Sequence, residues 1–289
     1  MVAYRFCRPD DIPELVAAVN RCYDVHFGAS PFTVDRFRRE MRELQLWPSN
    51  SMLARAGDEP VAVVLGTKRA SEVLVRRIGV APGHQRQGHG KHLLDSLGHK
   101  LAVLGPPRLV AEVPLELAGA RAFFAGAGWR EEGMLHDYVR TPRQVVAATA
   151  AERPGGAPPP GWREVTVAEL EEGGALRSST LLAWERQPEG LRAAVDLRGL
   201  ALGEAPLPAS WALFRSAPAG GAEILRFGVP GDRAAEALLT LAGAVQEALP
   251  GPLRLWRLAE DEVGIEALAA HGFVLDSTFV RFATVAEAA

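Results

Sequence analysis

The sequence predicts an α+β protein in which one kind of domain occurs twice. Two short apolar segments joined by the Gly57-Asp58 turn predict an antiparallel strand pair. The order strand, glycine loop, helix, strand across residues 73–113 predicts a parallel crossover. A similar order of segments returns after residue 161. We therefore expect two tandem domains, each built on a mixed, mostly antiparallel sheet with one parallel strand pair and flanking helices.

The first half, residues 1–140, carries clear helix-start signals. Asp10 or Asp11 is expected to cap the first helix, and Thr33 is expected to cap the second. The segments predicted in this half are a strand at Tyr4–Cys7, a helix ending near Asn20–Val25, a helix at Thr33–Leu44, strands at Ser51–Arg55, Pro60–Lys68 and about Glu72–Val80, a helix ending at Gly105, a strand at Arg108–Val113, a helix at Leu117–Ala127 and a terminal strand or hairpin at Glu132–Arg140.

The second half, residues 162–289, follows a predicted linker. Residues 141–161 lose periodicity and are rich in proline, glycine and alanine, which disfavours a helix or a central strand. The segments predicted after it are strands at Trp162–Val165, Trp211–Ser216, Glu223–Val229, Leu253–Leu258 and Val274–Ala283, and helices at Leu238–Leu249 and Ile265–Ala270. Because their order repeats that of the first half, we interpret the chain as a duplication, with an unrelated second domain as the alternative.

Composition restricts the class of protein. The 289 residues are 48% hydrophobic and 23% charged, which is ordinary for a globular protein. The net charge of −3 argues against nucleic-acid binding, which needs a concentrated basic surface. Apolar runs are too short to span a membrane, no secretion signal is evident, and two cysteines do not make a disulfide framework. We expect a cytoplasmic protein without nucleic-acid or membrane partners.

Residues 78–94 carry the strongest functional signal. A proline and three glycines lie between a strand and a leucine-rich helix, an arrangement that binds anions because the first-turn N–H groups lack intrahelical partners. The triphosphate pattern Gly-x-x-x-x-Gly-Lys-Ser/Thr fails because His89 and Gly90 follow Gly88. The dinucleotide pattern Gly-x-Gly-x-x-Gly fails because Leu93 occupies its last position.

A third pattern fits this loop. Val80, Pro82, Gln85, Gly88 and Gly90 have the spacing Val-x-Pro-x-x-Gln-x-x-Gly-x-Gly, which resembles the acetyl-CoA signature of the GCN5-related N-acetyltransferase (GNAT) family. The order of elements in the first 140 residues also resembles that family, and the tandem layout is similar to its two-domain members. The resemblance implies that acetyl-CoA is the co-substrate and that the strands flanking the loop splay apart around its pantetheine arm.

The resemblance also assigns individual residues to acetyl-CoA. Backbone amides near the helix start would hold the diphosphate, and the strand before the loop would pair with the pantetheine arm. The residues assigned in this way are Ile78, Gly79, Val80, Gln85, Arg86, Gln87, Gly88, His89, Gly90 and Lys91. No metal is expected, because His84, His89 and His92 lack a carboxylate or cysteine to complete a ligand set, and we interpret them as solvated loop residues.

The second half resembles the family by element order only. Its loop at residues 230–236 lacks Gln-x-x-Gly-x-Gly and carries Asp232 and Glu236, whose charges would repel a diphosphate. We expect this degenerate domain not to bind acetyl-CoA.

The catalytic residues are not apparent from the sequence. Many family members carry a tyrosine five residues before the aromatic of the Gly-aromatic pair, and that position is Phe124 here, which cannot donate a proton. Glu112 is a candidate base and Tyr138 a second catalytic candidate, with an ion-paired acid and a sheet-surface side chain as the alternatives. The resemblance places three candidate acceptor-binding residues at the first helix end and on the terminal strand, namely Tyr23, His26 and Asp137.

Two functions from different classes are compatible with these residues. The first is an enzyme that transfers an acetyl or other short acyl group from acetyl-CoA to a primary amine of a small molecule or peptide. The second is a non-catalytic module that senses acetyl-CoA or binds a partner, which the phenylalanine at position 124 favours. The loop identifies the acyl donor and leaves the acceptor open.

Overall fold

The computed structural model describes residues 1–27, 31–141, 158–177, 179, 181–205, 207–218, 220–230, 234–262 and 265–285. The chain forms two compact units. Unit 1 contains Met1–Val113, Leu117–Glu132 and the chain end from Arg281, and unit 2 contains Pro114–Glu116 and Gly133–Val280. No helix among these described residues is both long and apolar enough to cross a membrane.

Unit 1 is built on a mixed sheet. Its strands are β1 (Val2–Phe6), β2 (Met52–Ala56), β3 (Glu59–Gly66), β4 (Val73–Val80) and β5 (Arg108–Pro114). The first four are antiparallel neighbours in chain order, and β5 lies parallel to β4. The parallel register consists of the two pairs Val73↔Leu109 and Leu74↔Val110, although β4 continues to Val80. The predicted mixed sheet with one splayed parallel pair is confirmed.

Four helices flank this sheet, namely α1 (Ile12–Phe27), α2 (Val34–Glu43), α3 (His89–Leu104) and α4 (Ala118–Gly126). The predicted cap of α2 is present, because the Thr33 side chain accepts a hydrogen bond from the Arg36 N–H at 3.1 Å. Asp11 accepts one from the Arg8 N–H at 2.7 Å, just before α1. Buried apolar side chains of α1 and β3 pack together in the core of the unit, among them Leu15, Val19, Val63 and Leu65.

Unit 2 repeats the plan. Its strands are β6 (Arg130–Arg140, from Gly133), β7 (Trp162–Glu164), β8 (Arg198–Leu202), β9 (Ser210–Ser216), β10 (Ala222–Gly228), β11 (Leu253–Ala259) and most of β12 (Val274–Val285). Strands β7 to β10 are antiparallel neighbours, and β10 is parallel to β11 through Ile224↔Leu255. Its helices are α5 (Val167–Glu172), α6 (Pro188–Ala193), α7 (Ala234–Ala248) and α8 (Ile265–Ala270).

Three elements of unit 2 were not predicted: α5, α6 and β8. Both helices have six residues and β8 has five, so they are too short to show a hydrophobic period. A signal for α5 did exist. Thr166 and Glu169 form a capping box, in which each side chain accepts a hydrogen bond from the other residue's N–H.

The compact units do not coincide with residues 1–140 and 162–289. Residues 133–140 belong to unit 2, where β6 pairs antiparallel with β11 through Tyr138↔Leu255, and the chain end from Arg281 belongs to unit 1. Periodicity marks a strand but not its partner, which is why the sequence placed each terminal strand in its own half. Most of the predicted linker, residues 142–157, lies outside the described residues.

Candidate active site

The C-terminal half of β4 presents backbone groups on the side away from β3. The Ala81 N–H donates to the Val61 carbonyl at 2.9 Å, so residues 79 and 81 direct their backbone groups toward β3. Because these directions alternate in an antiparallel pair, Ile78 and Val80 direct theirs the other way. We call the backbone from Ile78 to Val80 on this side the open edge.

The loop after β4 has a backbone conformation suited to anions. Arg86 and Gly88 adopt left-handed φ values of 61° and 85°. Two glutamine side chains hold the loop, because Gln85 Nε2 donates to the Val80 carbonyl at 3.1 Å and Gln87 Nε2 donates to the Gly83 carbonyl at 3.3 Å. The family resemblance assigns Gln85 to acetyl-CoA binding, and in the structure its side-chain amide is hydrogen-bonded to the end of β4.

Helix α3 begins directly after this loop. The His92 N–H donates to the Gly88 carbonyl at 3.0 Å, so the amides of residues 89–91 precede the first intrahelical bond and lie at the positive end of the helix dipole. A Cβ built on Gly88 would meet nothing within 4 Å. Space and unbonded helix-start amides together fit a diphosphate. Arg86 and Lys91 are exposed, and Lys91 Nζ lies 2.6 Å from the Asp95 carboxylate.

Two glycines of the signature allow close packing. A Cβ on Gly90 would lie 3.2 Å from the Phe123 ring, so glycine lets α3 begin close against α4. A Cβ on Gly79 would lie 2.5 Å from Tyr23 Cε2, so glycine lets the Tyr23 ring lie on β4. These two positions tolerate no side chain without a shift of their neighbours.

Tyr23 contacts the open edge. Its hydroxyl accepts a hydrogen bond from the Ile78 N–H at 2.7 Å and donates to the Ile78 carbonyl at 2.5 Å. Tyr23 departs from helical geometry within α1, with φ −121° and ψ 15°. Burial raises the pKa of its phenol, and the nearby Arg77 charge opposes that rise only in part. The sequence had placed Tyr23 beside the acceptor; the side chain of His26 lies outside the described residues.

The histidines of the loop form a small cluster with Tyr4. His89 is buried, and its Nδ1 shares a hydrogen bond of 2.6 Å with the Tyr4 hydroxyl. The Tyr4 and His92 ring centroids are 3.9 Å apart. The interpretation of all three histidines as solvated loop residues is therefore wrong for His89. In the part of the chain that the structure describes, no three His, Cys, Asp or Glu side chains are grouped as metal ligands.

Glu112 and Phe124 lie in the interior of unit 1. Glu112 Oε1 is 3.5 Å from Arg281 Nη1, and Arg281 also lies within 3.3 Å of Glu72. This buried ion cluster matches the ion-paired alternative for Glu112 and not the role of a base. Phe124 packs against the Trp129 ring at 4.9 Å between centroids, so the position of the usual tyrosine belongs to the core.

The candidates on β6 belong to unit 2. Tyr138 packs in the core of that unit, and Asp137 accepts hydrogen bonds from the Arg257 N–H at 2.7 Å and the Ser277 hydroxyl at 3.1 Å. His136 Nδ1 lies 3.0 Å from the Thr278 hydroxyl. His136, Asp137 and Tyr138 are all buried. Because successive residues of a strand point to opposite faces of its sheet, both faces of β6 are covered at these residues.

Sequence reasoning missed Arg186, which lies between β10 and β11. Its Nε donates to the Leu225 carbonyl at 2.6 Å and its Nη1 donates to the Arg257 carbonyl at 3.0 Å. The guanidinium also forms a two-point ion pair with Glu262, and the side chain is fully buried. Arg186 thus bridges the two parallel strands beyond their last pair, Ile224↔Leu255. An arginine before a short turn gives no such signal in a sequence.

Comparison with known proteins agrees with this geometry. Residues 13–129 match the model of the Acetyltransferase (GNAT) family. The fold of the chain is similar to that of a GCN5-related N-acetyltransferase from Sphaerobacter thermophilus. The comparison covers 99% of this chain and 96% of the other, with 16% identity and a TM-score of 0.65. The fold is also similar to that of a GCN5-related N-acetyltransferase from Anabaena variabilis. That comparison covers 99% of this chain and 73% of the other, with 14% identity and a TM-score of 0.60.

The tandem arrangement also has a known counterpart. The chain covers all of a tandem GNAT protein from the clavulanic acid biosynthesis pathway, and is itself wholly covered, with 17% identity and a TM-score of 0.62. The family model thus covers residues 13–129, and the fold that the chain shares with this neighbour is that of a tandem GNAT protein.

Proposed function

We propose that unit 1 transfers an acetyl or other short acyl group from acetyl-CoA to a primary amine of a small molecule or peptide. The observation that carries this proposal is the juxtaposition of two features. The open edge of β4 carries the backbone groups that an extended pantetheine arm would pair with in exchange for the Tyr23 hydroxyl and the Gln85 amide. The left-handed loop that follows offers the start of α3 to a diphosphate.

The main contribution of the protein to this reaction is to hold the thioester and the amine in position. The amine nitrogen attacks the thioester carbon, a C–N bond forms, the C–S bond breaks, and the proton lost by the amine balances the proton gained by the thiolate. Holding the two reactants in contact removes much of the entropic barrier to such a bimolecular step. The backbone N–H groups at the open edge would supply hydrogen-bond donors to a developing negative charge on the acyl oxygen.

The experiment is a thiol-release assay with acetyl-CoA and a panel of primary amines, performed with the full chain and its Gly88→Glu variant. Glutamate at Gly88 adds a negative charge and forces a side chain into a left-handed position, so we expect turnover to be lost. Gly126→Glu is the matched control, since Gly126 is exposed at the end of α4 and has space for a Cβ. Equal turnover in the two variants would contradict the proposal.

A second candidate is a module that binds acetyl-CoA without turnover. Phe124 favours it, because the buried ring cannot protonate a leaving thiolate. The same assay separates the two functions. Acetyl-CoA binding that Gly88→Glu abolishes, with no thiol release across the whole amine panel, would support the module and contradict the enzyme.

We also propose that unit 2 does not bind acetyl-CoA. Arg186 uses the carbonyls of Leu225 and Arg257, one on each parallel strand, and its charge is neutralised by Glu262. A pantetheine arm entering there would have to displace a buried guanidinium and leave Glu262 without its partner, which costs several kcal/mol.

A further inference from the structure

We propose that the Tyr23 hydroxyl and the Ile78 N–H together bind the carbonyl oxygen of the acyl group, so that Tyr23 is a catalytic residue. This inference rests on the proposed function of unit 1. It assigns to Tyr23 a hydrogen-bonding role toward the reacting carbonyl, at a site where the position of the usual family tyrosine is a buried phenylalanine.

The first argument is the position of the Tyr23 hydroxyl. It lies 2.7 Å from the Ile78 nitrogen, on the side of β4 that faces away from β3. An acyl oxygen that accepts from this N–H would lie about 2.9 Å from the nitrogen, and hence beside the phenol. The phenol then gives up the N–H, and a rotation about its C–O bond turns its own proton from the Ile78 carbonyl toward the acyl oxygen.

The second argument is that the fold leaves a defined space for the Tyr23 ring. Gly79 leaves the space that the ring fills, because a Cβ there would lie 2.5 Å from Tyr23 Cε2 and 2.9 Å from Cys22 Cβ. The break in α1 geometry occurs at Tyr23 itself, where φ is −121°. A glycine next to Ile78 and a locally irregular helix both serve to bring this one hydroxyl onto the strand.

The third argument concerns the protonation state. Burial raises the pKa of Tyr23, so the phenol keeps its proton at neutral pH and acts as a hydrogen-bond donor. A thiol has a pKa of about 8.5, so a phenol with a raised pKa is a poor proton donor to a leaving thiolate. Tyr23 therefore stabilises the oxygen that gains charge, forms no covalent bond, and retains its proton through the reaction.

The test compares the full chain with Tyr23→Phe and Gly79→Ala. Loss of one donor to a developing oxyanion costs about 100-fold in turnover. We expect kcat to fall by about that factor in Tyr23→Phe while the calorimetric Kd for acetyl-CoA changes by less than about threefold. Gly79→Ala keeps the phenol but displaces its ring, so it should lower kcat in the same direction. Unchanged kcat, or tighter acetyl-CoA binding with faster turnover in Tyr23→Phe, would overturn the inference.

A readout independent of turnover comes from infrared difference spectra of bound acetyl-CoA with a ¹³C-labelled acetyl carbonyl. The carbonyl stretch should move to lower wavenumber on the wild-type chain and return toward the free value on Tyr23→Phe. Replacement of tyrosine by 3-fluorotyrosine, which keeps the ring volume, covers the case in which Tyr23→Phe does not fold, and a stronger donor should lower the stretch further. Identical bands in all proteins would refute the role of Tyr23, whereas absence of acetyl-CoA binding to the wild-type chain would refute the proposed function as well.

Discussion

The two units contain the same gap between parallel strands, and they use it differently. In unit 1, β4 and β5 part after Leu74, and one hydroxyl, that of Tyr23, contacts the backbone of Ile78. In unit 2, β10 and β11 part after Ile224, and the Arg186 guanidinium bonds to both strands. A ligand carbonyl can replace the phenol as the hydrogen-bond partner of one residue. A buried guanidinium cannot be displaced in this way without leaving a buried carboxylate and two carbonyls without their donor.

A glycine marks the same place in both units. Gly79 makes room for Tyr23, and Gly228 makes room for Trp211, whose Nε1 would lie 2.3 Å from a Cβ there. In unit 2 the aromatic comes from the neighbouring strand and lies opposite Gly228 in the register. The glycine is therefore part of the shared fold, and in each unit an aromatic ring fills its space.

The largest expected effect comes from breaking the bridge in unit 2. Arg186→Met leaves Glu262 and two strand carbonyls without their partner, so we expect the free energy of unfolding to fall by about 3–5 kcal/mol in denaturant titrations. The control is Arg192→Met, which removes a half-exposed ion pair with Glu171 and should cost less than about 1 kcal/mol. Equal losses in the two variants would show that Arg186 does not hold the strands.

A smaller effect concerns a buried ion pair beside the open edge of unit 1. Glu40 accepts two hydrogen bonds from the Arg77 guanidinium at 2.5 and 2.8 Å. Burial is the largest single influence and would raise the pKa of Glu40. The hydrogen bonds from Arg77 and the positive charges of Arg76, Arg77 and Arg36 together outweigh it, so the pKa lies below its usual value. A carboxyl with a lowered pKa contributes stability that is complete above the unfolded value, about 4.3, and is lost as the pH falls through the folded one.

We therefore expect Glu40→Gln to be less stable than the wild type at pH 6 and the difference to shrink as the pH approaches 3. The measurement is the free energy of unfolding in denaturant at several pH values. Asp35→Asn is the control, because Asp35 is almost fully exposed and should change little across this range. A difference that is constant from pH 6 to pH 3 would contradict the ionised pair.

The smallest expected effects are at two helix caps, one in each unit. The side chains of Thr33 and Thr166 accept hydrogen bonds from N–H groups at 3.1 and 3.2 Å. Alanine at either position should lower the free energy of unfolding by about 1 kcal/mol, and serine, which keeps the oxygen, should restore most of it. A loss confined to one unit would show that the two caps are not equivalent in strength.

Local features were the ones that the sequence predicted well. Thr33 and the turn at Gly57 act through neighbours within a few residues, and the Gln85–Gly90 pattern encodes a backbone conformation directly. The contacts that distinguish the two gaps are long-range, since Tyr23 meets a residue 55 positions away and Arg186 meets one 71 positions away. No periodicity carries that information. The same holds for residues 133–140 of β6 and 281–285 of β12, which belong to the unit of the other half.

The most direct test of the difference between the units is the stoichiometry of acetyl-CoA binding to the full chain by isothermal titration calorimetry. The loop and the open edge of unit 1 predict one site per chain and none in Gly88→Glu. Arg186 predicts that unit 2 adds no second site. Two sites in the wild type, or one site that survives Gly88→Glu, would contradict the account.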